Sequence, residues 1–151
     1  MKKMATSLLL VAASFAAIYF SNRYWYLFQH GISTELLKAS KDSSALVAMD
    51  EIANFNWDKV AFFEPYTSKK DVEALLGIKI ADPRIESLET SDNFSVIIFV
   101  LRDQVALLDS IPRCSPDFGP GVTGKSFSRS KAHFRIEIRN GCLKLMPISR
   151  P

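Results

Sequence analysis

The longest uninterrupted apolar stretch of the chain is Met4 to Phe20, 17 residues without a charge. Lys2 and Lys3 precede it; Arg23 and the cluster Tyr24-Trp25-Tyr26-Leu27-Phe28 follow. At ~1.5 Å per residue a helix of this length spans about 26 Å, close to the ~30 Å of a hydrocarbon core. The pattern predicts a signal-anchor helix within residues 1–28, with the basic start held in the cytoplasm and the rings at the membrane–water interface. A cleaved signal peptide is the alternative, with Ser14-Phe15-Ala16 as its small-x-small site. In both readings residues 29–151 form an exported domain. The first places it on a single-pass protein of the bacterial inner membrane, touching the lipid bilayer through residues 4–20; the second secretes it.

Beyond residue 28 the apolar period changes from one segment to the next. Ser33 and Thr34 are suitable N-caps for a helix over 35–39. Leu46, Met49 and Ile52 recur at helical spacing, so a helix is predicted to end near Asn54. Trp57 to Glu64 reads as an aromatic-rich strand stopped by Pro65. Ser68 and Asp71 form a capping box for a short helix over 69–76, ended by Gly77. Residues 78–93 read as loop, with a short strand near 78–80. Phe94 to Leu101 is apolar at nearly every position and predicts a central strand covered on both faces. Arg102-Asp103 turns it into a further strand over 104–109, and residues 112–132 read as a long loop. His133 to Arg139 alternates strictly, and Asn140-Gly141 suits a two-residue hairpin turn. That turn pairs Ile136 with Leu145, Ile138 with Leu143 and Arg139 with Cys142. The expected domain is α+β: an antiparallel sheet of about four or five strands with short helices on one face.

Charge modifies this picture. The net charge of +3 conceals an asymmetry. Residues 33–110 carry 8 basic and 14 acidic side chains; residues 111–151 carry 8 basic and 2 acidic ones. Either the halves pair and cancel, or the C-terminal half presents a basic face to an anionic lipid or an acidic envelope protein. Nucleic acid is not an expected partner of an exported domain. In an oxidising compartment Cys114 and Cys142 can form a disulfide; two packed thiols are the other reading.

Few segments suggest chemistry. Gly119 to Ser126 matches GxxxxGK[ST], whose amides and lysine cradle phosphates when the loop joins a buried strand to a helix. Here a strand is predicted to follow, so a nucleotide site is the minor reading. The milder one is an anion site using Arg113, Lys125, Arg129 and Lys131. Ser128 and Lys131 match SxxK, but at the entrance to a strand. His30 and His133 lack partners at metal-ligand spacing and read as surface histidines. No cofactor, metal or catalytic residue is predicted. The leading expectation is a non-enzymatic structural or interaction module of the cell envelope.

Trp57-Asp58-Lys59, Phe63, Pro65-Tyr66-Thr67 and Leu76-Gly77 together resemble the WDKxxxFxPYT…LG pattern of small exported or membrane-anchored bacterial proteins of unknown function. The resemblance spans about residues 55–148. It implies an envelope protein with a small α+β domain and carries no catalytic residues.

Overall fold

The computed structural model describes residues 31–40, 46–114 and 117–148. They form two four-stranded sheets and a few short helices. In chain order the elements are a helical segment α1 over 31–39, β1 (Leu46–Ala48), α2 (Met49–Ile52), β2 (Lys59–Phe63), α3 (Lys69–Leu76), α4 (Pro83–Leu88), β3 (Phe94–Leu101), β4 (Gln104–Pro112), β5 (Asp117–Phe118), β6 (Lys125–Ser128), a 3-10 turn at Arg129–Lys131, β7 (His133–Arg139) and β8 (Cys142–Pro147).

The central sheet has the order β4-β3-β2-β6 and is antiparallel throughout. Both faces of β2 and β3 are buried, and strand alternation assigns each residue to one side. Val60, Phe62, Ile97 and Phe99 face the second sheet, of order β1-β7-β8-β5, and meet Phe118, Phe134, Ile136 and Leu145 there. Ala61, Phe63, Val96, Ile98 and Val100 face the other way and are covered by Val72 and Leu76 of α3 and Ile85 and Leu88 of α4. The layers are therefore sheet, sheet and helices, but the helices are not all on one face as expected: Ile32 and Leu36 of α1 and Met49 and Ile52 of α2 join the core on the second-sheet side.

This corrects the single sheet expected from the pattern. The second sheet is a separate layer, and its β5 runs parallel to β8. The strands that complete it have three residues in β1 and two in β5, too few to show a period. Leu46 to Ala48, read as the start of a helix, pairs instead with β7; the helical turn begins only at Met49. Pro83–Leu88, read as loop, is helical. The Asp82 side chain accepts from Arg84 N, and Pro83 occupies the first turn, where a missing N–H costs nothing. Segment 31–39 is helical ahead of Ser33 and Thr34, so neither is its N-cap.

The expected membrane helix at 4–20 lies outside the described residues. Among those that are described, no helix is long and apolar enough to cross a membrane. The transmembrane and signal-anchor assignment, and the single-pass inner-membrane localisation built on it, are therefore not carried forward.

Other local readings agree with the structure. Ser68 caps α3 by accepting from Asp71 N, and the cap residue Gly77 lies in the left-handed region. The β7–β8 register pairs Ile136 with Leu145 and Arg139 with Cys142. Cys142 and Cys114 are joined by a disulfide across a Cα separation of 4.5 Å, which ties the end of β4 to the start of β8. Closing a loop of 28 residues restricts the unfolded chain by about 3–4 kcal/mol.

Phe62 is the hub of the contact between the sheets. Its ring meets Phe118, Phe134 and Phe127 edge-on at 4.9, 5.1 and 6.0 Å between centroids. Phe62→Ala is expected to lower the unfolding free energy by about 3–5 kcal/mol, measured by urea denaturation.

Asp109 of β4 reaches α1. Its Oδ2 accepts from the backbone N of Ile32 at 2.6 Å and of Ser33 at 3.3 Å. Burial nevertheless pushes this carboxyl above its ordinary range, against these amides, the Ser110 amide and the Arg84 guanidinium, which favour the charged form. A raised folded pKa means that the folded chain holds the proton more tightly. The resulting stabilisation is complete below the unfolded carboxylate value of ~3.9 and is lost as pH rises through the raised value. Arg84 holds Asp82 in the opposite direction, below its ordinary range. A wild-type-minus-variant difference removes that contribution. The melting temperature of the wild type minus that of Asp109→Asn should therefore fall as pH rises from about 4 through the raised value.

Candidate functional site

The glycine-lysine segment is fixed by the core. Gly119 N donates to Leu145 O at 2.8 Å, Val122 N to Gly119 O at 3.1 Å, and Gly124 N to Phe62 O at 2.9 Å. Val122 itself is fully buried between the sheets. Lys125 and Ser126 then enter β6 opposite Phe62 and Ala61. A phosphate cradle needs free amides opening a helix; here three amides serve the fold and a strand follows. The glycines answer packing and turning. A Cβ on Gly119 would collide with Met146 Sδ and lie 3.0 Å from Leu145 O, and Gly124 adopts φ +65.

Beside this segment, at the seam of the two sheets, lies a groove of ≈ 500 Å³. One wall is β6 and the 3-10 turn, giving Lys125, Phe127, Ser130 and Lys131. The other is the open end of the β7–β8 hairpin, giving His133 and Pro147. Alternation along β6 puts Lys125 and Phe127 on one face, so the ammonium stands beside an aromatic wall. Phe127 also touches Phe134 at 5.1 Å, which links the groove to the core. Neither Lys125 nor Lys131 has an ion-pair partner among the described residues, and no carboxylate lines the groove.

Two of the four predicted anion-binding residues are thus brought together. Arg113 lies elsewhere: its Nε donates to Asp117 Oδ1 at 2.9 Å, beside the disulfide. Arg129 stacks over Trp57 at 5.5 Å, and its backbone N donates to Asp58 O. His133, read from the sequence as a surface histidine, joins the groove instead. The spacing Lys125-x-Phe127-x-x-Ser130-Lys131-x-His133 carries that information only once a strand, a tight turn and a second strand are assigned in order.

The remaining motifs resolve into structure. Ser128 Oγ lies 3.4 Å from Ser130 Oγ, and no Ser128–Lys131 bond accompanies it. The Asp117 carboxylate lies near both cysteine sulfurs, but these are bonded to each other, and Asp117 already accepts from Arg113 and Cys114 N. His30 lies outside the described residues.

The residues carrying the WDK resemblance act as braces. Trp57 Nε1 donates to Ala53 O, Asp58 Oδ2 accepts from Arg102 N in the β3–β4 turn, and Lys59 Nζ donates to Leu76 O at the end of α3. Tyr66 N donates to Leu88 O of α4.

Comparison with known proteins finds no match to this chain among family models, curated proteins or solved structures.

If the glycine-lysine segment is a packing element, Gly119→Ala should lower the unfolding free energy by about 1–3 kcal/mol through overpacking against β8. Exposed Ser126→Ala should change it by no more than about 0.5 kcal/mol. Thermal or urea unfolding of the two variants measures both.

Proposed function

We propose that the chain is a binding module for an anionic group, with the groove between β6 and the β7–β8 hairpin as its site. One observation carries the reading: two ammonium groups without ion-pair partners among the described residues, and an imidazole, converge on a hollow that no described carboxylate lines. Its volume falls within the range of small-molecule sites.

The C-terminal charge excess supports the same reading. The ion pairs Lys38–Glu35, Lys69–Glu86, Lys79–Glu73 and Arg84–Asp82 stay within the acidic part of the chain, and Arg113–Asp117 and Arg139–Glu137 stay within the basic part. Among the described residues none joins one part to the other, so Lys125 and Lys131 keep their attraction for an external anion.

Titration calorimetry with inorganic phosphate tests this. A lysine–anion contact worth ~1.4 kcal/mol corresponds to about tenfold in affinity. Lys125→Gln with Lys131→Gln is expected to weaken binding at least about tenfold, with a reduced salt dependence. Arg113→Gln should leave binding unchanged. Equal affinity in the double variant and the wild type would refute the assignment.

A further inference from the structure

A second hollow of ≈ 250 Å³ adjoins the first and shares His133 and Ile148 with it. The shared boundary is the point where Ile148 N donates to His133 O, at the open end of the β7–β8 hairpin. Beyond it the wall is edge strand β1. Leu46 and Ala48 are there, and Leu46 is 68 % exposed, more than any other large apolar side chain among the described residues. An exposed leucine on an edge strand, next to a hollow that shares two lining residues with a cationic groove, gives a surface with a charged end and a largely apolar end. Glu51 stands at the apolar end. A second anion is repelled there, so a ligand with a single negative charge is held in one direction, with its charge at the lysines.

We infer that the occupant is an amphipathic anion: one phosphate or carboxylate head on an unbranched apolar chain. Lys125 and Lys131 hold the head, and the chain passes His133 and Ile148 to lie against Leu46 and Ala48. This rests on the anion-binding reading of the groove and adds the chemistry of what the anion is attached to. Phe127 and Pro147 flank the head, so the methylenes nearest it also leave water. Each methylene fully buried strengthens binding by about three- to fourfold, so a chain half-covered by this shallow wall gains tenfold or more over its head alone.

The test uses the full, disulfide-intact chain and calorimetry with inorganic phosphate, octyl phosphate, octanoate and octanedioate, all below their micelle concentrations. Octyl phosphate is expected to bind at least about tenfold tighter than inorganic phosphate. Leu46→Gln, at an exposed position, should remove most of that increment and leave inorganic phosphate binding as it was. That unchanged value also shows that the variant is folded. Octanoate should bind more tightly than octanedioate, whose second carboxylate would have to face Glu51.

Phosphate that binds through the two lysines without any gain from the octyl chain overturns the amphipathic assignment and leaves the anion site standing. Failure of both phosphate and octyl phosphate to bind removes both. Tighter binding of octanedioate than of octanoate also overturns it, because Glu51 would then not repel a second anion at that end.

Discussion

Two adjacent strands buried on both faces impose the architecture. Lys59–Phe63 and Phe94–Leu101 present apolar side chains to either side of the central sheet, and neither side can be left in water. One cover is helical, with Val72, Leu76, Ile85 and Leu88 closing over Phe63, Val96 and Ile98. The other is the second sheet, set against Phe62 and Phe99 and completed by Ile32 and Leu36 of α1 and Met49 and Ile52 of α2. Because the covers differ, so do the layers of core. The helical side is aliphatic apart from Phe63 and Phe94, while the sheet side contains most of the edge-on aromatic contacts.

What was legible in the sequence follows from how locally each element is specified. The Asn140-Gly141 turn, the Ser68 cap and the run from Phe94 to Leu101 each contain their own instructions: a backbone conformation, a capping group, a continuous apolar stretch. Their positions and register agree with the structure. The second sheet was not legible, because β1 and β5 are strands only by virtue of their partners β7 and β8. Their three and two residues carry no period of their own. The helix at Pro83–Leu88 had a readable signal in Asp82-Pro83, an N-cap followed by a first-turn proline, masked by the polar residues around it. The both-face burial of β3 already implied two covers. The sequence pattern supplied helices for one of them and left the other unassigned.

The site was half legible for a related reason. Lys125 and Lys131 stand out as charges, but so do Arg113 and Arg129. Nothing in composition separates the cations that are held by Asp117 or stacked on Trp57 from those with no ion-pair partner among the described residues. That distinction is tertiary. Arg129 sits at the start of the 3-10 turn, where its amide bonds Asp58 O and its guanidinium meets Trp57; two residues later Lys131 has turned to the groove. His133 is placed by being the first residue of β7, a property defined by pairing with Ala48.

The glycine-lysine segment links fold and site in a way its letters obscure. It resembles a phosphate loop because it too must turn sharply and let backbone approach closely, and glycine satisfies both demands whatever lies nearby. Here the close approach is to Leu145 and Met146, and the amides of Gly119, Val122 and Gly124 are consumed within the protein. The chain emerges from that anchoring as β6, the edge of the central sheet, before crossing by a three-residue turn to β7 of the other sheet. Two sheets joined so briefly at one edge leave a cleft at the seam, and whatever side chains end β6 and begin β7 must line it. Polar residues there would give an ordinary surface notch. This chain places Lys125 and Lys131 on one wall and His133 on the other, with Phe127 rooted in the core beneath, so the cleft has both a charge and a firm wall to hold it against. The anion preference we propose is thus a local choice of side chains at a cleft that the three-layer fold produces in any case.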